Sequence, residues 1–461
     1  MEEFGGFADL LATRAHRTPE AACLLVGDGD RVTTVTWEDF DARVTARARE
    51  LAGAGAACEA VLATGGIDCL VEAFACVAAG LQCALINPFE ADEEARRLIA
   101  ACDADALWAP ARRRAALAGA LRTGPAPGRV RPRQVLFFTS GTTARAKAVA
   151  LTDASLMASA WRGASMLPLS ASDRLLAALP LSHVFGFVCG VLWGMQCGCP
   201  VALGRGMRRF ESDFALFEPT AVSLVPTLAR WALDRNVLGQ SVRLVLAGAA
   251  PCPPDVVRDL RKQGIRLCCG YGLTETSSGV ALSLGDDPHA MTVCPRTQVR
   301  ISADGEVIVR APGSLMRGYY GQADTAPVDG WLATGDAGRI DDAGLLHVSG
   351  RLKDVAVLSN GTKLFIPDYE RALKRALGEE DLAVIACNGA PVLVCGALAR
   401  HQGATERDIE RELAPVLARY PRESQVAHTV LLGHALPRTA AGDVRRWSIQ
   451  KEVEKCQPKK K

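Results

Sequence analysis

Apolar and polar positions follow two rhythms along the chain. Up to about residue 297, short apolar runs alternate with helix-like stretches. AVLAT (60–64), a helical run through EAFACVAAG and then CALIN form one such unit. Further on, LLAALP, PVALG, AVSLVP, VRLVLAG and RLCCGYG are separated by stretches such as TLARWALDR and PPDVVRDLRKQG. Strand-like runs alternating with helices predict parallel sheets covered by helices. From about residue 297 the strands come closer together, in QVRISADGEVIVRAP, GRIDDAGLLHVSGR and VAVLSNGTKLFIP, with ADGE and DDAG as hairpin connections. In the last hundred residues PDYERALKRAL and TERDIERELAPVLARY read as amphipathic helices, and LAVIAC and VLVCGAL flank an NGAP turn. The expected fold is α/β: a large N-terminal domain of helix-covered sheets with a β-rich subdomain, residues 1–352, followed by a small α+β domain, residues 353–461.

Composition narrows the class. A chain of 461 residues with 49% apolar and 23% charged side chains can bury more than one core, which excludes a disordered protein. A net charge of +2 gives no general attraction to nucleic acid or anionic membrane. No stretch approaches the roughly eighteen apolar residues of a spanning helix. The start, MEEFGGFADLL, is acidic where a secretory signal is basic, so a cytoplasmic protein is expected. Sixteen cysteines are scattered singly, apart from Cys197/Cys199 and the adjacent Cys268/Cys269; none forms a CxxC pair, and they read as small buried hydrophobes rather than metal ligands. TGPAPGRVRPRQ (123–134) reads as a surface connection, and the terminal KCQPKKK as a solvated basic tail.

Candidate chemistry begins at TSGTTARAKAVALT (139–152), where five hydroxyl side chains, an early glycine and Lys147 follow the apolar run VLFF. Such a loop after a strand aims backbone N–H groups and hydroxyls at one point, as phosphate oxygens require. The alternative is a polar turn in which Thr152 or Asp153 caps a helix starting near Ser155. It is not a Walker loop, because Ala146 precedes Lys147 where that motif has glycine.

Other stretches point the same way, and the sequence resembles the adenylate-forming (AMP-binding) superfamily of acyl-CoA synthetases, nonribosomal-peptide adenylation domains and luciferases. The segments TSGTTARAK, LPLSHVFGF, GYGLTETSS, GWLATGDAG and GRLKD match its motifs in order and spacing. The resemblance implies ATP-dependent activation of a carboxylic acid as acyl-adenylate, with Mg²⁺, and transfer to coenzyme A or to a carrier protein. It assigns Thr139, Ser140, Gly141, Thr142, Thr143 and Lys147 to the β- and γ-phosphates. Gly248, Ala249 and Ala250 fall along adenine, Tyr271 stacks on it, and Gly272 and Thr274 complete that segment. Glu275 becomes the magnesium carboxylate, whose alternative is an acidic residue in a first helical turn. Asp336, backed by Arg351, is assigned to the ribose hydroxyls, a plain turn aspartate being the alternative. His183 faces the acid, where a lone histidine would otherwise be a satisfied core residue. Lys353 is the pivot about which the mobile small domain swings.

Two departures stand out. Within PRTAAGDVRR, Asp443 occupies the place of a family lysine that cancels charge during adenylation. Losing such a donor costs about 3 kcal/mol, and an anion in its place adds roughly 4 kcal/mol of repulsion at about 4 Å in an effective dielectric near 20. Together these approach a factor of about 10⁵ in rate. Arg438, Arg445, Arg446 or Lys451 could compensate, the small domain could serve mainly thiol transfer, or the protein could bind nucleotide without efficient turnover. Ala144, Ala146 and Ala148 also stand where the family has Gly, Pro and Gly, which stiffens the loop.

Overall fold

The structure is a computed structural model and describes residues 1–139, 147–352, 355–358, 363–387, 389–398, 400–401, 403–438 and 444–456. The apolar runs of the first 300 residues become two helix-covered sheets. In the larger, nine strands run in the order Thr292–Val293, Ser278–Leu282, Arg266–Leu273, Leu244–Ala247, Ala221–Leu224, Leu175–Ala177, Val201–Leu203, Ala22–Asp28, Arg31–Thr36. Its six central neighbours, from Arg266–Leu273 to Ala22–Asp28, pair in parallel, and antiparallel strands close both edges. The five-stranded sheet has the order Ala106–Trp108, Cys58–Leu62, Gln82–Ile86, Gln134–Thr139, Lys147–Thr152, with the last strand antiparallel to its neighbour.

One apolar cluster draws from both sheets: Leu24 and Val201 from one, Val61, Leu85, Phe137 and Val149 from the other, with helices Phe7–Arg17, Trp37–Ala54 and Gly66–Ala78. Phe187 belongs to it, packing edge-on to Phe137 with ring centroids 5.8 Å apart. This anchors the segment that carries His183. Helix Asp153–Met166 starts with a capping box in which Thr152 Oγ1 accepts from the Ser155 N–H at 3.0 Å, while Ser155 Oγ accepts from the Thr152 N–H at 3.0 Å. The expected helix start is therefore present directly after the strand opened by Lys147.

The β-rich subdomain is a four-stranded antiparallel sheet, Gln298–Ile301, Glu306–Arg310, Leu332–Ile340, Leu346–Arg351. Beyond it, strands Leu382–Cys387, Ala390–Cys395 and His428–Leu431 form a small sheet of their own. Alternation along Leu382–Cys387 sorts its side chains by face. Leu382 and Val384 pack with helices Ile366–Leu377 and Glu406–Leu417, whereas Ala383 and Ile385 pack with Ile449 and Val453 of helix Arg446–Cys456. Among the described residues, no helix is long and apolar enough to cross a membrane. Among the described residues no cysteine is placed in a disulfide, and thirteen of the fifteen with described side chains are buried.

Candidate active site

The site forms at the carboxyl ends of parallel strands, where helix-covered sheets leave crevices for ligands. Thr139 ends strand Gln134–Thr139, Gly270 to Leu273 end Arg266–Leu273, and Ala249 follows Leu244–Ala247. These residues line one cavity of about 820 Å³ together with Lys147, His183, Thr274, Glu275, Tyr319 and Arg351. The cavity's other side comes from the C-terminal domain: Pro367, Glu370, Lys374, Arg438, Val444 and Arg446.

Each functional side chain has a positional cause. Lys147 pairs across the ladder with Thr139, whose hydroxyl donates to the Lys147 carbonyl at 3.4 Å. The Lys147 ammonium lies 4.4 Å from the centroid of the Tyr319 ring, a cation–π contact. The Tyr319 hydroxyl donates to Glu275 Oε1 at 2.8 Å, so one tyrosine holds both a cation and a carboxylate. Burial, with Glu275 adding to it, raises the Tyr319 pKa, which keeps that hydroxyl a donor.

Asp336 is 5% exposed, and each of its oxygens is engaged: Oδ2 accepts from the Tyr271 hydroxyl at 2.7 Å and Oδ1 lies 3.1 Å from Arg351 Nε. Its backbone position follows from pairing with Arg351 on the adjacent strand. Burial first, then the Asp336 charge, raises the Tyr271 pKa. Tyr271 thus acts through its hydroxyl as well as presenting a ring to the cavity. A carboxylate has about four acceptor positions, so Asp336 can take further donors while holding these two.

His183 sits at the start of helix Val184–Phe187 with its ring open to the cavity, and desolvation by the surrounding cleft lowers its pKa. Behind it, Phe185, Cys189, Leu246 and Leu282 give an apolar end to the cavity. Burial pushes the Cys189 thiol up to about 11, which favours the uncharged thiol in this lining. Two glycines sit in close quarters, Gly272 against backbone and Gly248 against a side chain. A Cβ on Gly272 would lie 1.6 Å from the Ser278 carbonyl oxygen, and one on Gly248 would lie 2.7 Å from the Phe185 ring.

Of the residues singled out in the sequence, Thr139, Lys147, His183, Ala249, Tyr271, Gly272, Thr274, Glu275 and Arg351 line the cavity. Asp336 joins it through Tyr271 and Arg351. Gly248 lies beneath Phe185, and Ala250 is exposed. Ser140, Gly141, Thr142, Thr143, Ala144, Ala146, Lys353 and Asp443 lie outside the described residues. Ala148 is an ordinary strand residue opposite Phe138, where glycine's freedom is not needed. Phe185 lies in the LPLSHVFGF stretch already singled out, whereas Tyr319, Lys374 and Glu370 were not foreseen. Tyr319 sits in RGYYG, which carries no charge pattern or spacing that would mark it.

A cleft between a large α/β domain and a small α+β domain, with five cations and two carboxylates in its described lining, suits an enzyme acting on a polyanionic nucleotide. The chain belongs to the AMP-binding enzyme family, which matches residues 11–320. It is 31% identical over 389 residues to "3-[(3aS,4S,7aS)-7a-methyl-1,5-dioxo-octahydro-1H-inden-4-yl]propanoyl:CoA ligase" of Mycobacterium tuberculosis, covering 78% of this chain and 72% of that protein. It is 30% identical over 353 residues to indoleacetate–CoA ligase of Aromatoleum aromaticum, covering 69% and 67%. The fold is similar to that of o-succinylbenzoate CoA synthetase from Bacillus subtilis in complex with its acyl-adenylate intermediate, with a TM-score of 0.80 at 23% identity over 98% of this chain and 99% of that one.

Proposed function

We propose that the protein is an AMP-forming ligase that joins a small-molecule carboxylic acid to coenzyme A. The observation that carries this is the convergence of Lys147, His183, Glu275, Tyr271 and Arg351 on one cavity, within a chain whose relatives are named CoA ligases. In the first half-reaction an oxygen of the acid's carboxylate bonds to the α-phosphorus of ATP. The bond from that phosphorus to its bridging oxygen breaks, and pyrophosphate leaves with the electron pair. In the second, the thiol sulfur attacks the acyl carbon, the carbon–oxygen bond to AMP breaks, and the thiol proton passes to solvent.

The donors fit these tasks. Lys147 and the hydroxyl-rich segment before it bind the β- and γ-phosphates, Tyr271 and Ala249 border adenine, and Asp336 with Arg351 takes the ribose. Glu275 presents one carboxylate to the cavity, which suits Mg²⁺, a cation that takes one or two protein carboxylates and completes its shell with phosphate and water. Magnesium, when bound, supplies charge neutralisation on the phosphates. His183 faces the acid as a neutral ring. Residues 353–461 are proposed as the mobile unit with Lys353 at its pivot, in keeping with separate apolar cores on its side of the chain. Described cysteines that are outside disulfides and mostly buried suit a reducing compartment such as the cytoplasm.

The test is exchange of labelled pyrophosphate into ATP across a panel of carboxylic acids, followed by thioester formation with CoA and with a phosphopantetheinylated carrier protein. Exchange with at least one acid and faster transfer to CoA are expected. ATP binding without exchange for any acid would instead identify the impaired nucleotide-binding protein that Asp443 brings into view.

A further inference from the structure

We infer that Arg446, with Arg438 beside it, delivers the positive charge that the adenylation half-reaction takes from the C-terminal domain. The inference rests on the ligase function proposed above and adds a catalytic role to that same site.

The described lining of the cavity holds five cations, Lys147, Arg351, Lys374, Arg438 and Arg446, against two carboxylates, Glu275 and Glu370. Three of the five come from the C-terminal domain. Of these cations the N-terminal domain brings only Lys147 and Arg351 to the described lining, and Arg351 is paired with Asp336 as Arg446 is with Glu370. A carboxylate approaching a triphosphate needs more, because negative charge builds on the bridging oxygen as the bond to the α-phosphorus breaks.

Arg446 is the first residue of helix Arg446–Cys456. A cation there opposes the helix dipole, so the helix gains nothing from it. Instead the guanidinium is pinned from outside: Arg446 Nη2 donates to Glu370 Oε2 at 2.8 Å, and Glu370 Oε1 accepts from the Val384 N–H at 2.6 Å. Glu370 is therefore a positioning residue that fixes the guanidinium between helix Ile366–Leu377 and strand Leu382–Cys387. A guanidinium carries five N–H donors in a planar fork and can serve several oxygens at once. Arg438 is held nearby by a bridge to Val444, and its Nη2 lies 3.2 Å from Asp381 Oδ1. Arg438 and Arg446 thus flank the segment containing Asp443 and both reach the cavity, whereas Arg445 and Lys451 of the same basic stretch are not in its lining.

A purely structural role, a pin between three elements, would affect both half-reactions alike. The test uses the full chain with benzoate, phenylacetate, hexanoate and malonate as acid probes for pyrophosphate exchange. Thioester formation from chemically prepared acyl-adenylate and CoA is measured in parallel. Arg446→Gln, which keeps a donor for Glu370 but drops the charge, is expected to slow exchange about 100-fold and thioester formation much less, since only one phosphate remains there. Arg446→Lys, which keeps the charge, is expected to exceed Arg446→Gln in exchange by about tenfold or more. Equal losses in the two half-reactions, or equal exchange by the Lys and Gln variants, would overturn the inference. So would a gain of about 100-fold from Asp443→Lys in the otherwise natural chain, because that charge would then have been missing. Failure of the natural chain to exchange with any probe would remove the ligase function itself, a result distinct from both.

Discussion

The two sides of the cleft are built differently. On the N-terminal side the polar groups are locked to one another and to their backbone. Tyr271, Asp336 and Arg351 form one bonded set, and Tyr319 joins Glu275 to Lys147. The backbone beneath is constrained too: Ala249, Ser277 and Ser278 hold φ values of 66°, 54° and 96°, in the left-handed region that non-glycine residues rarely enter. On the C-terminal side the cations are held by ion pairs within their own domain, Arg446 to Glu370 and Arg438 to Asp381, and that domain has cores of its own. The contrast separates binding from chemistry. Under the function proposed above, the N-terminal side would be a preorganised nucleotide platform and the C-terminal side would bring charge to the reacting phosphates.

Breaking the platform should be the more damaging change. In Gly272→Ala the new methyl meets the Ser278 carbonyl, which is backbone and cannot swing away. Destabilisation of about 3 kcal/mol or more is expected, read as a clear drop in the thermal midpoint. An unchanged midpoint would show the platform to be softer than this comparison holds. Next in size, Asp336→Asn turns one acceptor into a donor facing either the Tyr271 hydroxyl or Arg351. Two charged hydrogen bonds at about 1.5–3 kcal/mol each set the scale, so ATP affinity by calorimetry should fall by about 100-fold or more.

Much of this platform was legible in the sequence because its parts are local. RLCCGYG marks the strand that delivers Tyr271, and the spacing from Thr152 to Ser155 marks a helix start. The paired strands around ADGE and DDAG were visible for the same reason. Strand order was not. Parallel strands buried on both faces carry near-identical apolar runs, so nothing in ACLLVGD says that it lies against Val201–Leu203. Tyr319 was hidden because its role depends on meeting Glu275 and Lys147 from elsewhere in the chain. Arg438 and Arg446 were visible as charges, but only the packing of helix Arg446–Cys456 against the small sheet selects them over Arg445 and Lys451.

A milder change sharpens the contrast by uncoupling two functions of one side chain. Tyr319→Phe keeps the ring beneath Lys147 and removes the hydroxyl that orients Glu275. One hydrogen bond to a carboxylate is worth roughly 1.5 kcal/mol here, so the magnesium concentration for half-maximal exchange should rise about tenfold while ATP affinity without metal changes little. A parallel loss in both would mean that Lys147 and Glu275 depend on the hydroxyl jointly.

The smallest effect assigns the pH dependence of the cleft to one side. His183 is the one imidazole in the cavity's described lining, and across from it stand Lys374, Arg438, Arg446 and Glu370. Because desolvation lowers its pKa from 6.5, the folded chain binds fewer protons at His183 than the unfolded chain just below that pH. Stability therefore rises with pH through this window. The contribution is fully present above pH 6.5 and is lost as pH falls toward the lowered folded value. Since the ring is open to the cavity, solvent screening keeps the effect small. Denaturant midpoints at about pH 7.5 and 5.5 should drop more for the natural chain than for His183→Gln. Equal drops would place the acid sensitivity elsewhere. Under the proposed function the ring would also bear on catalysis: as a neutral imidazole it would donate one hydrogen bond to the acid's carboxylate without adding a charge, which would leave neutralisation of the phosphates to Lys147 and to the arginines of the opposite wall.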